Sequence, residues 1–257
     1  MNSNAVWTSF STIIRREVRR FMRIWPQTLV PPVITMSLYF VIFGSLIGSR
    51  IGEMGGYSYM EFVVPGLIMM AVITNSYANV VSSFYSAKFQ RNVEELLVSP
   101  TPNWVILAGY VLGSVTRGLI VGLVVTLIAL SFTSLSVQHI GITIAIVLLT
   151  AVLFSLAGFI NAIFANSFDD ISIIPTFVLT PLTYLGGVFY SIELLSPFWQ
   201  GLSKLNPILY MVNAFRYGVL GVSDINVVWA FAGVLSFIVL LFAWGLHLMT
   251  HGKRLRH

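Results

Sequence analysis

The chain has 257 residues, with 14 Lys and Arg against 9 Asp and Glu, so 9% of it is charged while 57% is hydrophobic and the mean hydropathy is +0.88. A soluble domain carries roughly 25% charged residues, so this composition leaves too little polar surface for a water-facing globule, marks a polytopic membrane protein, and speaks against a nucleic-acid partner. The absence of cysteine excludes disulfide frameworks and thiolate metal sites, and the length suits a single domain over residues 1–257.

In chain order, the first expected element is a helix within residues 1–26. At 100° per residue Val6, Trp7, Phe10, Ile13, Ile14, Val18, Phe21, Met22 and Trp25 fall on one arc, and Arg15, Arg16, Arg19, Arg20 and Arg23 on the opposite one. This is the pattern of an amphipathic helix lying in the membrane interface. Glu17 alone projects into the apolar arc, where an unpaired carboxylate is costly, so it requires a basic partner. The arginines follow the apolar residues rather than precede them, so no cleavable signal is evident.

Uncharged runs mark the spans. A crossing helix needs about 20 apolar residues, and the runs fit six, near residues 27–48, 62–86, 116–135, 140–165, 171–190 and 225–249. The third and fourth come from one uncharged run, Gly118 to Phe168, which breaks at the polar stretch Thr133 to His139. They must be helices, because lipid offers backbone groups no partners and the runs lack the alternation of a membrane barrel. A seventh pass over Leu96 to Thr116 would bury Ser99, Pro100, Thr101, Pro102 and Asn103 in lipid and export Lys253, Arg254 and Arg256, so six is preferred. Arg117 then lies near the entrance of the third span, its long side chain free to snorkel.

Between the second and third spans, residues 88–103 read KFQRNVEELLVSPTPN. Val93, Leu96 and Leu97 form an apolar ridge flanked by Arg91, Glu94 and Glu95, and Pro100 and Pro102 end the helix. A solvated loop and a docking helix for a cytoplasmic partner both fit; the ridge favours docking, since a short loop helix has no core of its own. Within the spans, Asn75, Ser76, Tyr77 and Asn79, and then Thr176, Thr180, Thr183 and Tyr184, are the densest polar groups. Helix packing through hydrogen bonds is their commoner use and a pore lining the alternative. Pro175 and Pro181 bend the fifth span, and Gly109, Gly113 and Gly118 invite close helix approach. Residues 191–222 are too polar and proline-broken to cross, and read as a helical hairpin dipping into the outer leaflet, joined at Asn206 and Pro207, for which a cap over the helix ends and a gate are equal readings.

Counted by loops, 11 of 14 basic residues fall on one side and only Arg50, Lys204 and Arg216 on the other. Both termini are therefore expected in the cytoplasm. No Lys is followed by Ser or Thr, so there is no Walker A sequence, and no His-rich motif completes a metal site. No acidic residue lies deep in a span, which disfavours proton or sodium coupling.

Four stretches resemble one family, the membrane subunits of ABC-2 type exporters, in particular YadH-like and NodJ-like permeases: Phe62 to Gly66 (FVVPG), Asn92 to Pro100 (NVEELLVSP), Leu182 to Tyr190 (LTYLGGVFY) and Leu205 to Gly221 (LNPILYMVNAFRYGVLG). The resemblance covers nearly the whole chain. It implies the all-α ABC-2 (type V exporter) fold, with an N-terminal interfacial helix, six transmembrane helices, a cytoplasmic coupling helix and re-entrant helices before the last span. It also implies a half-transporter in the bacterial inner membrane. Two permease copies pair, and two copies of a separate ABC ATPase subunit dock from the cytoplasm, carrying the ATP and Mg that this chain does not bind.

Carried onto these residues, the resemblance makes Arg91, Glu94, Glu95, Leu96 and Leu97 the ATPase contact, with Arg15, Arg16, Glu17, Arg19, Arg20 and Arg23 on the supporting interfacial helix. Asn75, Asn79, Thr180 and Tyr184 become pathway residues, and Asn206, Pro207 and Arg216 an external gate. The implied activity is outward movement of an amphiphile (lipid, glycolipid, glycan or drug) by alternating access. An ion-coupled carrier, or a membrane anchor recruiting a cytoplasmic partner, are the alternatives that share the same topology.

Overall fold

The computed structural model describes residues 3–251, and within them the fold is helical apart from one small hairpin. Lys253, Arg254 and Arg256, counted above for sidedness, lie outside the described residues. Helix α1 runs Ser3–Arg23. Helix α2, Trp25–Ile51, follows after Ile24, its turns widening over Phe40–Ile47. Glu53–Met54 and Tyr57–Ser58 form an antiparallel hairpin, turned by Gly55 and Gly56, both at positive φ, as a tight two-residue turn demands.

Helix α3, Tyr59–Phe89, begins with a capping box: the Ser58 hydroxyl accepts from the Glu61 N–H, and the Glu61 carboxylate accepts from the Ser58 N–H. Then come α4 (Asn92–Val98), α5 (Asn103–Ala129), α6 (Ile140–Phe164), α7 (residues 170–184), a short turn at Ile192–Leu194, α8 (Pro197–Lys204), α9 (Pro207–Leu220) and α10 (Val227–His251).

Five of these helices, α2, α3, α5, α6 and α10, are long and apolar enough to cross a membrane. Two helices end away from the expected span limits. The third span was placed at 116–135, but α5 starts at Asn103. Its first turns need no lipid, because α1 covers them. The fifth was placed at 171–190, but α7 stops at Tyr184. Pro175 and Pro181 each lack an amide proton, and the ladder widens over Pro175–Leu179, where the Thr180 hydroxyl returns to the Pro175 carbonyl at 2.9 Å. Gly187, at φ +68°, then turns the chain away from the helix.

Helix α3 is the axis of the molecule, buried along most of its length among α5, α6 and α9. Glycines set the spacing. A Cβ on Gly158 of α6 would lie 2.8 Å from the Tyr77 carbonyl, and one on Gly122 of α5 would lie 2.6 Å from Val72. Phe84 fills the space between α5 and α6, edge-on to Tyr110 at 5.2 Å and 4.2 Å from the Phe159 ring centre. By contrast α2, α7 and α10 are mostly exposed, as helices bathed in lipid would be.

Candidate functional site

Chemistry gathers at the two ends of α3. Ser83 lies near one end and Phe62 near the other, about 30 Å apart at 1.5 Å per residue.

At the Ser83 end, α1 lies across α5. Ile13 and Glu17 meet the bare backbone of Gly109 and Gly113, where an added Cβ would come within 2.7 Å of Ile13 Cγ2 and closer still to Glu17 Cβ. The buried stripe of α1 is therefore Ile13, Glu17 and Phe21, while Trp7, Met22 and Trp25 of the expected apolar arc are exposed.

Glu17, only 1% exposed, has the basic partners it requires: Arg16 Nη2 and Arg20 Nε both stand 3.4 Å away, and the Ser83 hydroxyl donates to it as well. Arg16 and Arg20, expected on the far arc, reach round the helix. Arg16 donates to the Tyr110 hydroxyl, and Arg20 Nη2 donates to Asn79 Oδ1 at 2.8 Å and to the Asn79 carbonyl at 3.1 Å. Arg117 on α5 donates to the same Asn79 oxygen at 3.4 Å and to Asn75 Oδ1 at 3.3 Å. Asn79 Nδ2 in turn donates to Ser114 at 3.0 Å.

One carboxylate and two amides thus bind three arginines from α1 and α5 across α3. The exposed residues Arg15, Arg19 and Arg23 join Arg16 and Arg20 around a basin of about 940 Å³. Asn75 and Asn79, read as pathway residues, are both buried, and their side chains are engaged in holding arginines and the α3 backbone. Asn79 at its centre had the right polarity in sequence but no signal of its partners. Ser83, Ser114 and Tyr110 carried none at all.

Beyond this lattice α3 turns into α4. Arg91 sits at φ +62°, the single non-glycine residue at positive φ among those described, and sets the corner between the two helices. Lys88 donates to the carbonyls of Ile163 and Ala165 at 2.6 and 2.8 Å, tying the end of α3 to the end of α6. The expected apolar ridge of α4 does find a core within this chain: Val93 is buried, and Leu96 and Leu97 are half-buried against it. Arg91, Glu95 and Val98 face outward, Val98 87% exposed, and Glu94 is half-buried.

At the Phe62 end three sequence-distant segments tie together. Arg216 of α9 is fully buried; its Nε donates to the Phe62 carbonyl at 3.3 Å, its Nη2 to the Gly187 carbonyl at 2.7 Å, and its guanidinium carbon lies 3.8 Å from the Phe62 ring centre. Asn206 caps α9 through the Ile208 N–H at 3.0 Å and donates to the Leu182 carbonyl. A Cβ on Gly66 would lie 2.6 Å from the Val188 carbonyl oxygen, and Tyr59 donates to the Phe189 carbonyl at 3.1 Å. Asp224 accepts from the Ser191 hydroxyl at 3.0 Å and the Ile192 N–H at 3.1 Å.

Asn206 and Arg216 therefore each tie α9, which Pro207 opens, to the LTYLGGVFY stretch, and Arg216 ties it to FVVPG as well. Thr180 and Tyr184, by contrast, are exposed on α7, and no hydrogen bond joins them to Asn75 or Asn79. Among the described residues no three His, Asp or Glu side chains gather as a metal site.

Five apolar helices, one of them the buried axis, with a basic lattice at one end and a knotted hairpin at the other, define a multi-pass membrane protein. The family model described as ABC-2 type transporter matches residues 8–220. The chain belongs to that family. It is 62% identical to the inner membrane transport permease YadH of Escherichia coli (strain K12), over 97% of this chain and 98% of the relative. It is 23% identical to nodulation protein J of Neorhizobium galegae, over 86% and 82% respectively.

Proposed function

We propose that the chain is the membrane-spanning half of an ATP-driven exporter of amphiphiles, working as a homodimer in the inner membrane with two separate ATPase subunits docked beneath it. Both termini are cytoplasmic. Helix α7 with the turn that follows it is the fifth crossing of six, and α8 and α9 form the hairpin on the outer side. Closure of the ATPases draws the coupling helices α4 together, and the spans rock around the dimer axis. Thr180 and Tyr184, exposed on α7, face the pathway, and the knot around Arg216 shuts its outer end.

The observation that carries this reading is the setting of α4. A seven-residue helix is fixed rigidly on the end of the axial helix by Val93 and the Arg91 corner, and it still offers Glu95 and Val98 outward. A loop with no partner has no reason to present a rigid, half-apolar face.

The test replaces Val98 or Leu97 by Asp in the tagged, gently solubilised chain. Val98→Asp alters a side chain that supports no fold contact, so the thermal unfolding midpoint is expected to stay put while the co-purifying ATPase and its stimulated hydrolysis are lost. Leu97→Asp should do the same with a small drop in stability. An ATPase that stays bound and stimulated in both variants would overturn the docking role of α4.

A further inference from the structure

A second concave surface lies away from the lattice, where the end of α8 and the start of α9 meet the first turns of α10. It is a slot of about 480 Å³, within the 300–1,000 Å³ typical of ligand sites. Met211 and Val234, both buried, form its floor, and Leu205 and Trp229 its rim, 81% and 71% exposed. Gly233 faces it with bare backbone: a Cβ there would meet nothing within 4 Å.

Two polar side chains line the slot, Lys204 and Tyr210. The Tyr210 hydroxyl is already engaged, donating to the Lys204 carbonyl at 2.8 Å. The Lys204 ammonium is not: the ion pairs among the described residues are both at Glu17. The slot thus joins an apolar trough to one uncompensated cation, beside a tryptophan of the kind that settles at headgroup level.

We propose that this slot binds one anionic phospholipid of the outer leaflet, an acyl chain in the trough and the phosphate on Lys204. Charge complementarity decides among occupants. A neutral sterol or detergent would leave the ammonium unanswered, and a zwitterionic phospholipid brings its own cation beside the phosphate, whereas an anionic phospholipid answers both the trough and the cation. The site rests on the transport reading only in taking this end of the molecule to meet the outer leaflet.

The experiment reconstitutes the full chain in phosphatidylcholine vesicles containing a minor fraction of phosphatidylglycerol, extracts it gently, and counts retained lipids by native mass spectrometry. The wild type should hold phosphatidylglycerol well above its share of the vesicle. Lys204→Glu should cut that preference on the order of tenfold while a phosphatidylcholine is still retained. Gly233→Leu, whose side chain enters open space, should displace both, and Phe237→Trp, narrowing the slot from another side, guards against a misfolded Gly233 variant.

Retention in the vesicle's own lipid ratio, or undiminished retention in both slot-filling variants, would overturn the proposal. So would efficient disulfide formation between copies bearing Leu205→Cys, which would put a second chain in the slot. A wild-type chain that binds no ATPase yet retains the lipid would sink the transport reading alone.

Discussion

Glu17 sets the energetics of the lattice. Its carboxylate is buried while Arg16 and Arg20, 46% and 30% exposed, keep part of their hydration, so the pair is worth more than a surface ion pair and less than a fully buried one. Glu17→Ala should lower the stability of the purified chain by roughly 1–3 kcal/mol, read as a lower thermal unfolding midpoint. Glu17→Gln, which keeps an acceptor for Ser83 and Arg20, should recover part of it. The need for a basic partner was legible from helical phase alone, because a carboxylate on an apolar arc is costly wherever it lies. That Arg20 also reaches Asn79 was not, since the phase put its Cβ on the wetted face and a long guanidinium arm can leave that face.

Among the elements, the pairing of α1 with α5 depends on Gly109 and Gly113. The atom nearest a Cβ at Gly113 is Glu17 Cβ, close to the α1 backbone and unable to swing aside. Gly113→Ala should therefore push α1 off its seat, and a cysteine in place of Phe21, buried in the native packing, should become reactive to aqueous thiol reagents. Gly118→Ala should be milder, because the nearest atom there is the rotatable Ser76 hydroxyl. Helix identities were legible because lipid enforces long uncharged runs. The ends of α5 and α7 were not: a helix sheltered by another helix can extend past the charge that hydropathy takes as its edge, and a Gly-Gly turn can stop one while the sequence stays apolar. The contacts that make the knot around Arg216 were not legible for a related reason. Its donors and carbonyls come from segments far apart in sequence, and backbone carbonyls have no sequence signature.

At the scale of the whole molecule, α4 and α8 carry exposed residues at opposite ends of the axial helix, which makes sidedness directly measurable. Single cysteines replacing Glu95 on α4 and Gln200 on α8 should label from opposite sides of sealed vesicles, Glu95→Cys from the cytoplasmic side and Gln200→Cys from the outside. Labelling of both from one side would overturn the six-span arrangement.

The lattice also orders assembly in time. Glu17 waits for Ser83, 66 residues later, and Arg16 for Tyr110, 94 residues later. Chains emerge N-terminus first, so α1 leaves the ribosome before its seat exists. It is made before α3 and α5 and can dock only once both are in place.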